Sequence, residues 1–373
     1  MNVMNDGMIG HFDTCLGCMA CETACPSGVR YAPLIEEARA AIEHHHTRSL
    51  GDRIFRQLLF WLLPYPARLR LFAMPLRFIN ALRGRTGLLS LLPRRLRNLI
   101  ELAPDAGSAR ASNPVPERTA ASGQTRLRVG LLTGCVQQVF FGHVNEATVR
   151  VLAAEGCEVH APHTQACCGA LALHSGRDED ARRFARALIE TFERTDLDVI
   201  VVNAAGCGSS MKSYGELFRG DPAWAERGQA FASRVRDVTE VLAGLDSPRA
   251  PRHRLDMRIA YHDACHLGHA QGVRQQPRDL LSSIPGVTLV PIADGDICCG
   301  SAGIFNLVQP EMASELGRRK AANIADAKPD IVATTNPGCM LQITAAARAA
   351  GDSRPVVHVV EILDASIQGK QLR

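Results

Sequence analysis

The sequence carries thirteen cysteines in 373 residues, and twelve of them fall into three groups of four. The first group is Cys15, Cys18, Cys21 and Cys25, in CLGCMACETACP, closed by Pro26. The other two share one layout. Cys135, Cys167, Cys168 and Cys207 are separated by steps of 32, 1 and 39, and Cys265, Cys298, Cys299 and Cys339 by 33, 1 and 40. Thiols in such number either pair as disulfides or bind soft metals. Disulfide frameworks belong to small secreted domains. This chain is long, and MNVMNDGMIGHFDT reads without the basic and apolar stretches of a secretory signal. Thiolate ligation of metal is therefore the expectation.

The front spacing, C-x2-C-x2-C-x3-C-P, is that of bacterial ferredoxins, and it points to a [4Fe–4S] cluster. Cysteines three apart on a tightly turning loop reach three irons of one cubane, while backbone N–H groups face its sulfides. Cys15, Cys18 and Cys21 form that trio. Cys25 either closes the same cluster or serves another, as the fourth cysteine does in two-cluster ferredoxins. In the paired groups a Cys-Cys-Gly turn presents two adjacent thiolates, and Gly169 and Gly300 permit close backbone approach or positive φ. The single cysteines follow apolar strand patterns, in LLTGC, NAAGC, YHDAC and NPGC. Ligands of open α/β sheets gather at the carboxyl ends of strands, so each group of four is expected to converge on one point. A cluster in each half is the first reading; zinc, or a cluster in one half alone, is the alternative. Cys157 has no counterpart and reads as a buried apolar side chain. Among His262, His266 and His269, His266 is the candidate for a hydrogen bond to a cluster sulfur, against helix capping or core packing.

The elements that must position these thiols come as a repeat. LRVGLLTGC and MRIAYHDAC open the two halves, and QACCGALAL and DICCGSAGI follow. Each half then has a helical stretch, DARRFARALIETFER or MASELGRRKAANIADA, and closes on an apolar strand with a cysteine. Strand and helix alternate, so the expected class is α/β: two duplicated domains with parallel sheets. The expected boundaries are an iron–sulfur segment at 1–47, a basic leucine-rich helical segment at 48–103, a flexible linker at 104–126, and the two cysteine-rich domains at 127–248 and 256–368. In the first segment, APLIEEARAAIEHH sets Leu34, Ile35, Ala38 and Ile42 on one helical face. Glu36 and Glu37 are expected in the first turn.

Residues 48–99 hold eleven arginines, no lysine and a single acid, Asp52. Leucines and aromatics interleave with them. Two readings stand: a surface that docks a partner subunit or membrane face, and short helices packed on the protein's own body with arginines outside. The net charge of +4 and the absence of any other basic motif give no reason to expect nucleic acid. No apolar run reaches the eighteen or so residues of a membrane span. The sequence lacks a G-x-G-x-x-G, a Walker A motif and a G-x-S-x-G elbow. No residue is expected to be catalytic; the pattern is that of an electron carrier.

Together TCLGCMACETACPSGVRYAPLIEEAR, the two CCG segments, HDACHLGHAQGV and CCGSAGIFNLVQPEMA resemble the iron–sulfur subunit of bacterial glycolate oxidase, from about residue 12 to residue 363. The CCG repeat is shared with lactate-utilisation iron–sulfur proteins, a glycerol-3-phosphate dehydrogenase subunit and heterodisulfide reductases. The resemblance implies a cytoplasmic electron-transfer subunit, at most peripheral to the inner face of the cell membrane. FAD would belong to partner subunits that oxidise glycolate to glyoxylate, and electrons would leave toward a quinone. The family carries two ferredoxin motifs, whereas this sequence has one, matching the second. Either the true start lies upstream, or the relay is shortened. Ser210 and Gln342 stand where heterodisulfide reductases have a further cysteine, which argues against disulfide-cleaving clusters.

Overall fold

The computed structural model describes residues 5–81, 94–102 and 114–372. Among them, nine strands form two sheets. The first contains β1 (Arg118–Thr119), β2 (Leu127–Leu132), β3 (Cys157–His160), β4 (Val199–Val202) and β5 (Val235–Asp237), in the order β1-β3-β2-β4-β5. The second contains β6 (Met257–Tyr261), β7 (Val287–Val290), β8 (Ile331–Thr334) and β9 (Val356–His358), in the order β7-β6-β8-β9. All pairings are parallel except the edge strand β1. The register repeats as well: Val129 of β2 lies opposite Val159 and Val199, and Ile259 of β6 lies opposite Leu289 and Ile331. The duplication written in the cysteine spacing is thus a duplication of sheet topology.

The strand residues explain the layering. β4 (VIVV) and β8 (IVAT) are buried throughout, as parallel strands covered by helices on both faces must be. The last strand of each sheet runs into a helix through a capping box. Asp237 with Glu240 caps the first, and His358 with Glu361 the second. The halves pack through the Gly142–Ala154 and Val359–Gln368 helices. There Val144, Val151 and Leu152 share one core with Val359, Ile362 and Leu363. Arg150 donates to Asp364 across this contact at 2.8 Å.

The front segment folds as helices Asp6–Thr14, Ala20–Ala24 and Tyr31–His45. Glu36 and Glu37, expected in the first turn of the last helix, lie in its second, and Glu36 meets His174 Nδ1 at 3.1 Å. Ile42 is buried, but Leu34 is 54% exposed. In the basic segment lie helices Leu50–Leu62, Pro66–Ala81 and Arg94–Leu102; residues 82–93 lie outside the described residues. Leu59 and Phe60 pack onto Ile304 and Leu307 of the second half. Arg48 is held by Asp13 and Glu43, and Arg56 by Asp52. On the opposite side Leu50, Ile54, Leu58 and Trp61 form an exposed stripe at helical spacing. Of the expected linker, 104–113 lie outside the described residues. The remainder is partly tied down, because β1 pairs with β3.

Candidate metal centres

The front loop turns tightly. Gly17 and Met19 both adopt left-handed backbone, with φ of 61° each, and the Gly17 N–H donates to Cys15 Sγ at 3.4 Å. Burial raises the Cys18 thiol pKa above its ordinary value, and neighbouring Cys265 and Cys15 push it the same way. Cys21 is raised by burial and by Cys18 and Cys15. Cys25 is set apart. Its sulfur is bound by the backbone at Val29 and Ser27 and by the Tyr31 hydroxyl, which hold its pKa low. The structure thus groups Cys15, Cys18 and Cys21 and gives Cys25 partners of its own.

This loop is clamped between the two halves. The Arg39 guanidinium donates to the carbonyls of Cys15 and Phe12 and, at 2.8 Å, to that of His174. From the second half, His266 Nε2 donates to the Gly17 carbonyl at 2.9 Å, and its ring meets that of His174 edge-on at 4.9 Å. His269 Nδ1 accepts from the Thr23 hydroxyl at 2.7 Å and from Arg274 at 2.9 Å. The expected bond from His266 to a sulfur is replaced, at Nε2, by this bond to the loop backbone. Burial, with His174 close by, pushes the His266 pKa down to about 4, so the ring is neutral when it donates.

The cysteines of both paired groups come together near the strand ends. Cys135 and Cys167 bring their sulfurs to 3.5 Å; Cys168 neighbours Cys167 and Cys207. In the second half Cys298 contacts Cys265, and Cys299 contacts Cys298 and Cys339. Cys135 and Cys265 are pushed well above the ordinary thiol range by their hydrogen bonds to Cys167 and Cys298 and by burial. Gly169 and Gly300 have φ of 78° and 90°, which lets their N–H groups donate to Cys167 and Cys298, each at 3.4 Å. Cys157 sits in the β-sheet core, away from all three groups.

Sequence reasoning missed several residues at these sites. Tyr214, wholly buried, donates to the Cys168 carbonyl at 2.7 Å. Asn336 Nδ2 donates to Cys339 Sγ at 3.4 Å, while its Oδ1 accepts from Gly206 N–H in the other half at 3.3 Å. The asparagine heading both NAAGC and NPGC was a usable signal for the latter; nothing in the sequence marks Tyr214 or Arg39. Ala205 N–H also donates to the Thr335 carbonyl at 3.1 Å, so the loops bearing Cys207 and Cys339 touch. Clustered sulfurs, most of them buried in the paired groups, with an N–H aimed at a sulfur in each of the three groups, suit a soft or borderline metal and fit an iron–sulfur centre.

Known proteins carry the same pattern. Residues 129–212 and 259–344 match the CCG cysteine-rich domain, and residues 51–103 match the linker region of the glycolate oxidase iron–sulfur subunit. A probable glycolate oxidase iron–sulfur subunit of Bacillus subtilis is 35% identical, covering 97% of this chain and 85% of the relative. The glycolate oxidase iron–sulfur subunit of Escherichia coli is 30% identical, covering 96% and 82%. Lactate utilization protein A of an Exiguobacterium strain is 30% identical over 64% of this chain and 98% of that protein. With two relatives aligned along nearly its whole length and the linker region matched besides, this chain belongs to the family of glycolate oxidase iron–sulfur subunits.

Proposed function

We propose that this chain is the electron-transfer subunit of a flavin-dependent glycolate dehydrogenase. A partner FAD subunit oxidises glycolate to glyoxylate, and electrons pass through this chain toward a quinone. The observation that carries the reading is that the cysteine-bearing loops are bonded to one another in sequence. His266, next to Cys265, donates to the carbonyl of Gly17, next to Cys18, at 2.9 Å, and the loops bearing Cys207 and Cys339 touch. When bound at Cys15, Cys18 and Cys21, with Cys25 or another ligand, a [4Fe–4S] cluster supplies reversible one-electron transfer. The chain's own residues do the rest. Arg39 and His266 fix the front loop against both halves. Gly17, Gly169 and Gly300 aim N–H groups at sulfur and favour its anionic form. The buried apolar surroundings of Cys167, Cys168, Cys298 and Cys299 exclude water.

Glycolate is favoured over lactate because the 51–103 linker matches the model named for the glycolate oxidase subunit. No helix among the described residues is long and apolar enough to cross a membrane. The exposed Leu50, Ile54, Leu58 and Trp61 stripe supports docking to a partner or to the inner membrane face. The test is anaerobic purification with iron, sulfide and zinc counted per chain, followed by EPR of the reduced form. Iron–sulfur signals that appear on adding glycolate only when the flavin partner is present would support the reading. Zinc without iron, or glycolate turnover by the isolated chain, would refute it.

A further inference from the structure

The two halves differ three residues before the cysteine that opens each group. The first half has Leu132 there, 1% exposed in an apolar core with Ile189 and Ile200. The second half has His262, also 1% exposed. Neither ring nitrogen of His262 has a hydrogen-bond partner. Buried polar atoms in folded proteins are nearly always satisfied, and an imidazole offers a metal a nitrogen as readily as it offers a proton. The nearest groups of matching chemistry are thiols. One ring nitrogen of His262 and the sulfurs of Cys299 and Cys339 all lie within 4.8 Å of one another, and all three residues are buried. Among the described residues this is the one trio of His, Cys, Asp or Glu so disposed. A tetrahedral metal with bonds of about 2.0–2.3 Å to nitrogen and sulfur sets its donors roughly 3.3–3.8 Å apart, so small rotations of these side chains close the trio on one ion.

A second difference points the same way. The place of Leu188 in the first half, fully buried, is taken by Lys320 in the second, since Ala181 and Phe184 of one helix and Ala313 and Leu316 of the other meet the CCG glycines alike. Lys320 is 1% exposed, and its ammonium donates to the carbonyls of Asp294 and Gly295 at 3.1 and 3.0 Å. The second half thus surrounds its cysteines with a neutral nitrogen donor and a fixed cation, where the first half has two leucines.

We propose that the second CCG half holds a mixed histidine–cysteine metal centre, with His262 a direct ligand beside Cys299 and Cys339, whereas the first half binds through thiolates alone. Cys298 and Cys265, in contact with this set, supply the remaining sulfurs. The donor set takes a borderline-soft metal, either one iron of a cluster or a zinc ion. With iron, replacing a thiolate by imidazole removes negative charge from the ligand set, so this centre takes up an electron more readily than its all-sulfur counterpart. The inference builds on the reading of the chain as an iron–sulfur subunit, and its test separates the two.

The full chain, purified anaerobically, is compared with His262→Leu, which copies the first half's Leu132, and with Cys207→Ser, which removes a first-half thiol. X-ray absorption at the iron and zinc edges and nitrogen hyperfine spectroscopy of the reduced protein read metal-bound nitrogen directly. Wild type and Cys207→Ser are expected to show it, and His262→Leu to lose it together with the second half's share of metal. Its appearance at the iron edge identifies a cluster iron; at the zinc edge, a zinc ion. Wild type without metal-bound nitrogen overturns the proposal even should His262→Leu fail to fold. So does His262→Leu with metal content and nitrogen signal unchanged. Iron present without metal-bound nitrogen sinks this proposal alone, whereas zinc bound through nitrogen with no iron sinks the electron-transfer reading and leaves the His262 ligand standing.

Discussion

Replacing the glycine of each CCG turn by alanine tests whether the two turns are held as the structure has them. Both glycines sit at positive φ, where a Cβ costs about 1–2 kcal/mol. What the Cβ would meet differs. At Gly169 it would come to 3.1 Å from the Ala181 carbonyl oxygen, which the neighbouring helix can relieve by a few tenths of an ångström. At Gly300 it would come to 2.6 Å from the Ala313 oxygen, a backbone atom inside the Pro310–Asp326 helix. Relief there means moving the helix or the turn, and forcing an extra methyl into a packed core costs about 1–3 kcal/mol. Gly169→Ala should therefore cost about 1–2 kcal/mol, and Gly300→Ala about 2–5 kcal/mol. At about 2–4 °C per kcal/mol for a chain of some two hundred residues or more, the first lowers the melting midpoint by a few degrees and the second by about ten. Thermal unfolding followed by circular dichroism reads both. The Gly300 N–H also holds Cys298 Sγ, so the second variant should lose metal from its half as well. Equal midpoints for the two variants, or a lower midpoint for Gly169→Ala than for Gly300→Ala, would show that the Ala313 contact does not constrain the turn.

Arg39→Met removes the three carbonyl bonds that pin the front loop. Charge-assisted bonds contribute about 1.5–3 kcal/mol each, so amide exchange across residues 12–24 should accelerate at least about tenfold, while exchange within β2, β4, β6 and β8 stays as in wild type. Unaltered exchange in the loop would remove Arg39 from its clamping role. His358 is wholly buried, and burial lowers its pKa to about 4 from 6.5. Its depressed folded value means the unfolded chain binds the proton more readily, so its contribution is present above pH 6.5 and is lost as pH falls toward 4. The stability advantage of wild type over His358→Asn should shrink by about 2–3 kcal/mol between pH 7 and pH 4.5, measured by chemical denaturation; an advantage that holds constant would mean the ring is not kept neutral. Stripping metal from the anaerobic protein should lower its melting midpoint, since a group bound by the folded chain alone stabilises it by mass action. Identical midpoints would mean the thiols hold nothing.

Much of this was legible in the sequence for a physical reason. A metal centre needs its donors within a few ångströms, so insertion between them is tolerated only in loops that do not move them, and the steps of 32, 1 and 39 against 33, 1 and 40 preserve that constraint. The parallel sheets followed from the same repeat, because apolar runs such as VIVV that end in a cysteine place both faces in a core and the thiol at the strand's end. What could not be read was the meeting of parts distant in sequence. The bond of His266 to Gly17 spans 249 residues, and no local pattern in HDACHLGHA distinguishes a histidine that clamps a loop from one that faces a sulfur. The placement of Glu36 and Glu37 failed for a different reason: at 3.6 residues per turn, a helix starting at Tyr31, or at Ala32 beside it, has closed its first turn before Glu36.

The His262 asymmetry lies between these cases, and it shows how a duplicated fold can be read further. Superimposing one half's pattern on the other removes everything that duplication alone explains: strands, CCG turns, capping boxes, cysteine positions. What remains is the set of exchanges that folding does not require, because the partner half folds without them. Leu132 against His262 and Leu188 against Lys320 are such exchanges, each replacing an apolar core residue by a buried polar one. A buried imidazole with no partner and a buried ammonium both cost stability that leucine does not. Selection for folding alone would not keep them at positions where the other half does without. Lys320 has the Asp294 and Gly295 carbonyls, but the ring of His262 has no such partner, and the thiols of Cys299 and Cys339 beside it indicate what kind of bound group would offset its cost.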